Sequence, residues 1–411
     1  MRGLWRLIAQ SHWPYWVAGI YLKRRPYEWE AFRALALEGL RQVRAWYRNE
    51  RPVVWTTAFV PTELVYGLGL VPFGVEVAAA LATGLGLSPR FLAAADRGWY
   101  SSDLCSFHRV AIGGALLDVW PRPAALVAST HLCDGAPRLF HNLAELYGVP
   151  LWILDVPAQP SLEAELYLAD QLRSLFRSLA SLAEGEAREG LRRSITLSNE
   201  ARYWLLEVNR WRTALSSPLR GEQALDLLWL GFMGQGSGAA VRVYRRLAEE
   251  LRTRVSSEHN RRSGHRYRLL WLHLKPYYPV DFWDLVASEG AMVAFEEFNY
   301  VYWPALSAGE DLWVSLARKM LSHFSLGPVE RRVEVVRKLV REYSCDGVVH
   351  FSHWGCRVSN GGARILKEAL QAEGVPYLLL PGDCLDRSHY SKGQVETRLA
   401  AFLELLGARG S

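Results

Sequence analysis

The stretch 124–156, AALVASTHLCDGAPRLFHNLAELYGVPLWILDV, decides the fold. An apolar run from Ala124 to Ser129 is followed by His131-Leu132-Cys133-Asp134 and an amphipathic pattern to about Tyr147. Gly148-Val149-Pro150 then stops the helix, and Leu151 to Val156 is a second apolar run. Strand, loop, helix and strand in that order make one crossover unit of a parallel sheet, whose buried strands read as short continuous apolar runs. The rhythm extends both ways. Val53 to Val60 is strand-like, and Pro61-Thr62-Glu63 opens a helix with proline at a permitted first-turn position. Leu68 to Leu87 reads as buried helix–strand–helix, because Pro72, Glu76 and several glycines interrupt what would otherwise imitate a membrane span. Further on, Leu269 to Leu274, Met292 to Phe295, Gly347 to Ser352 and Tyr377 to Leu380 repeat the strand signal. Glu373-Gly374-Val375-Pro376 enters the last of these as Tyr147-Gly148-Val149-Pro150 enters Leu151, which points to two halves of similar architecture.

The fold class is therefore α/β, with two Rossmann-like parallel-sheet domains, a helical N-terminal segment and a helical middle region. Residues 1–50 form the helical segment, with apolar residues at spacings of three and four from Tyr27 to Tyr47. The first sheet domain is expected over 51–160 and the second over 266–411. Between them, 161–265 carries leucines at helical spacing among Arg and Glu, with a basic linker at Arg261 to Arg268. With 50% hydrophobic and 22% charged residues, the 411-residue chain affords a large core. A net charge of +6 is mild, and Arg242 to Arg254 reads as a solvated helix face, so no nucleic-acid partner is expected. The 17 tryptophans suggest broad buried or partner-facing surfaces. Met1 to Gly19 lacks both a continuous apolar run and a small-residue cleavage site, so the chain reads as soluble and cytoplasmic, without membrane contact. In that reducing setting its five cysteines are poor disulfide candidates.

Those cysteines are Cys105, Cys133, Cys345, Cys356 and Cys384, with no CxxC pair. Placement says more than spacing. Cys133, Cys356 and Cys384 each fall just beyond a strand, at the carboxyl edge where open α/β sheets bind ligands. Cys105 opens the helical segment Ser106 to Leu117, whose N-terminus favours a thiolate. Cys345 precedes its strand and belongs at the opposite edge. Two readings stay open: small buried hydrophobes, or soft-metal ligands in polar loops with Asp134, Arg357 and Asp383. Gly234-Gln235-Gly236-Ser237-Gly238-Ala239 imitates a dinucleotide fingerprint, but a helical segment precedes it, so a helix junction is expected. His350 and His353 are candidate hydrogen-bond donors, and Glu296-Glu297 reads as a solvated surface pair. Glu63, inside an apolar segment, either has its pKa raised by burial into acid/base range or caps its helix.

Several stretches resemble the 2-hydroxyacyl-CoA dehydratase family, which includes benzoyl-CoA reductase subunits, from about Arg51 to Leu406. They are Pro61-Thr62-Glu63-Leu64, Gly69-Leu70-Val71-Pro72, Cys105 with Arg109, Cys133-Asp134, His353-Trp354-Gly355-Cys356 and Gly382-Asp383-Cys384-Leu385-Asp386. Gln394, Thr397-Arg398 and Phe402-Leu403-Glu404 complete the series. The resemblance implies an oxygen-sensitive 4Fe-4S cluster held by Cys105, Cys133 and Cys356, with one iron open, and Glu63 as a proton-handling carboxylate. It implies a lyase that removes water from a 2-hydroxyacyl-CoA through a ketyl radical, and a homologous subunit as partner in a hetero- or homodimer. A separate ATP-hydrolysing iron–sulfur activator would supply one low-potential electron. Cys384 departs from the pattern, standing where such a subunit carries a non-cysteine residue, often Gln. An added thiol there supplements or replaces a metal ligand, as in ATP-activated reductases with a double-cubane 8Fe-9S cluster. Such a cluster needs about six thiolates. A non-catalytic scaffold subunit is the third reading.

Overall fold

The computed structural model describes residues 10–48, 50–184, 187–257, 265–307 and 312–409. It contains two four-stranded, wholly parallel sheets. The first is built from β1 (Val53–Thr56), β2 (Val71–Gly74), β3 (Ala125–Ser129) and β4 (Leu151–Leu154), in the order β2-β1-β3-β4. The second is built from β5 (Tyr267–Leu272), β6 (Ala291–Glu296), β7 (Gly347–His353) and β8 (Tyr377–Gly382), in the order β6-β5-β7-β8. The two halves thus share one topology. Gly148 and Gly374, at φ +63° and +75°, end the helices that precede β4 and β8, the left-handed stop that glycine makes cheaply.

Side chains alternate across each sheet as strand geometry requires. Val53, Trp55, Leu126 and Ala128 face one way and join Leu269, Trp271, Val349 and Phe351 of the second sheet in a single core. Val54 and Val127 face the other way, toward the helices Leu162–Ala180 and Leu312–Leu321. Leu270, Leu272 and Val348 likewise pack under Val329–Glu342 and Ala363–Ala372. Helices Trp13–Arg24 and Glu30–Tyr47 occupy the N-terminal region, and all described secondary structure from 161 to 265 is helical. The long helix Gly238–Ser257 has a solvated Arg face, as its pattern predicts. No described helix is long and apolar enough to cross a membrane.

Three sequence expectations need correction or qualification. The first strand stops at Thr56, because the chain turns where the Val60 N–H donates to the Thr57 carbonyl. The linker Arg261 to Arg268 falls partly outside the described residues, and Tyr267 and Arg268 already belong to β5. Glu296 and Glu297 are not a solvated pair. Both are buried, and each is held by its own arginine: Arg212 reaches Glu296 at 2.7 and 2.9 Å, and Arg332 reaches Glu297 at 2.6 and 3.0 Å. Arg212 also donates to the Ala294 carbonyl and ties the end of helix Ala187–Arg212 to β6. Removing one partner of such a pair leaves an uncompensated buried charge. Arg212→Met should therefore lower unfolding stability by about 3–5 kcal/mol in urea titration, while exposed pairs such as Arg364–Glu368 contribute far less.

Candidate functional site

The carboxyl ends of the two sheets face one cavity of ≈ 1800 Å³. Cys105, Cys133 and Cys356 all line it. Each thiol sits at the start of a helix: Cys105 caps Ser106–Leu116, Cys356 caps Arg357–Gly361, and Cys133 precedes the cap Asp134 of Gly135–Tyr147. Nearby backbone N–H groups pull the thiols down, those of Phe107 acting on Cys105, Gly135 and Ala136 on Cys133, and Val358 and Ser359 on Cys356. Burial nonetheless dominates and pushes all three thiols up, Cys133 to about 11. The proximity of Cys105 to the charged forms of Cys356 and Cys133 adds to its rise, so the three sulfurs feel one another. Without a metal they are neutral; a bound cation reverses that balance and deprotonates them.

The loops carrying these thiols are latched to one another across the two halves. Gly355, at φ +81°, lets the β7 loop lie against the Cys105 backbone: a Cβ there would stand 3.0 Å from the Cys105 Cα. The Ser106 hydroxyl donates to Asp383 at 2.6 Å, Arg109 pairs with Asp386 at 3.3 Å, and Arg357 pairs with Asp134 at 2.7 Å. Arg332, besides holding Glu297, donates to the Ser359 carbonyl and braces the Cys356 helix. His350 accompanies it in that task, bonded to the Ser359 hydroxyl at 2.7 Å and away from the cavity wall. His353 does reach the cavity, with Nε2 3.3 Å from the Cys105 sulfur. His108 approaches Cys133 at 3.8 Å, and burial pushes its pKa down to about 4. Leu132 and His273, at φ +61° and +74°, hold strained backbone on the cavity wall.

The other two thiols lie elsewhere. Cys384 is fully buried in the shared core and is not on the cavity wall; its carbonyl accepts from the Tyr277 N–H. Cys345 sits at the opposite edge of its sheet, as its place before β7 predicts, with burial pushing it up to about 12. Among the described residues no three His, Cys, Asp or Glu side chains are grouped as ligands of a single ion. Thiols that share a cavity at wider separation suit a polynuclear centre, whose ligands each meet a different metal atom.

Glu63 is buried but not on the cavity wall. Burial raises its carboxyl, yet the Lys319 ammonium at 2.5 Å and the Ser198 hydroxyl at 2.7 Å outweigh that and hold it below the usual range. The Gly234–Ala239 segment joins two helices and packs on Glu63, with Gly236 at φ +85°. A carboxylate that does face the cavity, and that is in no ion pair among the described residues, is Glu76, at the start of helix Val75–Gly84. Its Oε2 is buried without a hydrogen-bond partner. Burial pushes Glu76 up to about 7, against the opposing pull of the Glu76 and Ala58 N–H groups. It lies close enough to Cys133 for its charge to raise that thiol. An apolar wall completes the site. Phe59 from the loop after β1, Phe232 from helix Leu228–Met233 and Phe298 from the turn after β6 meet edge to face, with centroids 5.6 and 5.9 Å apart. The first sheet half, the helical middle and the second sheet half each contribute one ring, which no linear motif reveals.

Two matched parallel sheets thus share one cavity lined by thiols from both halves. The chain belongs to the 2-hydroxyglutaryl-CoA dehydratase D-component family, whose model matches residues 57–406. It is similar to the lactoyl-CoA dehydratase subunit alpha of Anaerotignum propionicum, at 23% identity over 92% of this chain and 95% of that protein. The (R)-phenyllactyl-CoA dehydratase alpha subunit of Clostridium sporogenes is 20% identical over 88% of this chain and 91% of its own. A benzoyl-CoA reductase subunit of Thauera aromatica is 22% identical over 77% of this chain and 80% of its own.

Glu76 gives a pH signature with a definite sign. Its pKa in the fold, about 7, exceeds the ordinary 4.5, so the folded state holds the proton more tightly than the unfolded chain. The associated stability is complete below about 4.5 and is lost as pH rises toward about 7. Between about pH 5 and about pH 8 the metal-free protein should lose roughly 2–3 kcal/mol more in urea titration than Glu76→Gln does.

Proposed function

We propose that this chain is an iron–sulfur subunit of a 2-hydroxyacyl-CoA dehydratase, with Cys105, Cys133 and Cys356 holding a 4Fe-4S cluster. The observation that carries the reading is the meeting of three thiols, from both halves of the chain, on one cavity wall. When bound, the cluster supplies an open Lewis-acid iron for the substrate hydroxyl and a relay for the single electron from an ATP-dependent activator. The protein's own residues do the rest. The N–H groups of three helix starts steady negative charge on the sulfurs. Glu76, protonated near neutrality, is placed beside Cys133 to give its proton to a departing hydroxyl. Phe59, Phe232 and Phe298 receive the acyl chain and keep water from it. The cavity's size suits a long thioester, and Arg25 and Arg138 on its wall are exposed to meet phosphates.

Glu63 takes a structural part in this reading, as the buried partner of Lys319. Cys384 stays outside the ligand set, since its thiol is in the core and the cavity wall offers three thiols where a double cubane needs about six. A lyase acting with a second subunit accords with the dehydratase subunit names of these relatives, and a homologous one is proposed as that partner. Anaerobic reconstitution should give about four irons per chain, lost in Cys105→Ala, Cys133→Ala or Cys356→Ala and kept in Cys384→Ser. With partner and activator present, 2-hydroxyacyl-CoA should be dehydrated. Full iron content in all three alanine variants would overturn the ligand assignment.

A further inference from the structure

His353 is the last residue of β7, and both of its ring nitrogens have partners. Nδ1 is 3.1 Å from the Cys384 backbone nitrogen, whose N–H has only one way to bond: it donates. Nδ1 must therefore present a lone pair, which fixes the neutral ring with its proton on Nε2. Nε2 points at the Cys105 sulfur, 3.3 Å away. The Asp383 carboxylate lies 3.9 Å from Nδ1, too far to bond it, and spends Oδ1 on Ser106 and on the Leu385 and Asp386 N–H groups. The ring is held in place by Phe107 edge-on at 5.4 Å and by His273 stacked at 5.9 Å. It is 1% exposed, so water does not compete for either nitrogen.

From this we infer that His353 is a positioning residue that donates a hydrogen bond to the Cys105 thiolate and is not itself a ligand. The inference rests on the cluster reading above. A nitrogen that carries a proton has no lone pair to offer iron. A donor to a ligating sulfur withdraws charge from it, which favours the reduced, more negative form of the centre and raises its potential. Cys384 enters the same device through its backbone. That backbone N–H, which any residue but proline would supply, sets the tautomer, while the Cys384 thiol is turned into the core.

Two variants separate the two nitrogens. The side-chain oxygen of His353→Asn occupies the place of Nδ1 and keeps the Cys384 N–H bonded, but nothing reaches Cys105. The amide nitrogen of His353→Gln occupies the place of Nε2 and keeps a donor to sulfur. Each is reconstituted anaerobically beside the unaltered protein, and iron content and midpoint potential are measured by electron paramagnetic resonance titration. The expected result is unchanged iron in all three, a potential shifted negative in His353→Asn, and one near the unaltered value in His353→Gln. Iron lost from His353→Asn, or a potential that does not move with full iron present, overturns the inference. The unaltered protein gives a separate reading when grown with 15N-histidine: weak nitrogen coupling marks a hydrogen bond, and the strong coupling of a bound imidazole overturns it. If the unaltered protein takes up no iron, the cluster reading itself fails, an outcome distinct from all of these.

Discussion

The contact of the β7 loop with the Cys105 backbone is the constraint on which the site depends. The two sheets have separate strand sets and could sit at many angles; what sets their carboxyl edges face to face is a handful of contacts beside the thiols. Gly355 lets two backbones touch where any side chain would force them apart. Ser106 with Asp383 and Arg109 with Asp386 bind the Cys105 helix to the segment after β8, and the shared core behind them closes the joint. The residues that place the thiols are therefore their immediate neighbours in sequence. The contacts that join the halves are the same ones that bring the thiols to one cavity.

Electrostatics divides the buried groups into two kinds. Some charges are paired: Glu296 with Arg212, Glu297 with Arg332, Glu63 with Lys319. These pairs join distant segments, and their worth is in specifying which segments meet as much as in stability. Other groups on the cavity wall, Glu76 and the three thiols, are in no such pair among the described residues. Glu76 and the three thiols are driven toward their neutral forms by burial, and His353 and His108 toward neutral imidazole. These neutral groups, next to polar N–H donors, are poised for a charge that arrives from outside, which is what clustered perturbed groups in a cleft indicate.

The sequence was legible where local pattern and topology suffice. Continuous apolar runs located all the later strands, the paired Gly-Val-Pro stops announced the duplicated topology, and position relative to strand ends placed Cys133, Cys356 and Cys345 at their sheet edges. It was opaque where a partner lies far along the chain. Glu63 was legible as buried, but its partner Lys319 is 256 residues away, and that partner turns a raised carboxyl into a lowered one. Glu296-Glu297 looked solvated because Arg212 and Arg332 come from other helices. Glu76 was visible only as an interruption of an apolar run; that its Oε2 is buried with no hydrogen-bond partner among the described residues is a property of the folded cavity. The family resemblance, carried by motifs around the cysteines, holds over residues 57–406.

The central claim is geometric: three thiols from two sheets grip one inorganic centre. The most direct measurement is diffraction from anaerobically reconstituted crystals at the iron absorption edge. The account predicts one compact anomalous peak in the cavity, bonded to the sulfurs of Cys105, Cys133 and Cys356, with Cys384 in the core unbound. Anomalous density centred on Cys384 or Cys345, or a cavity whose three sulfurs bind no iron in protein that contains it, would contradict it.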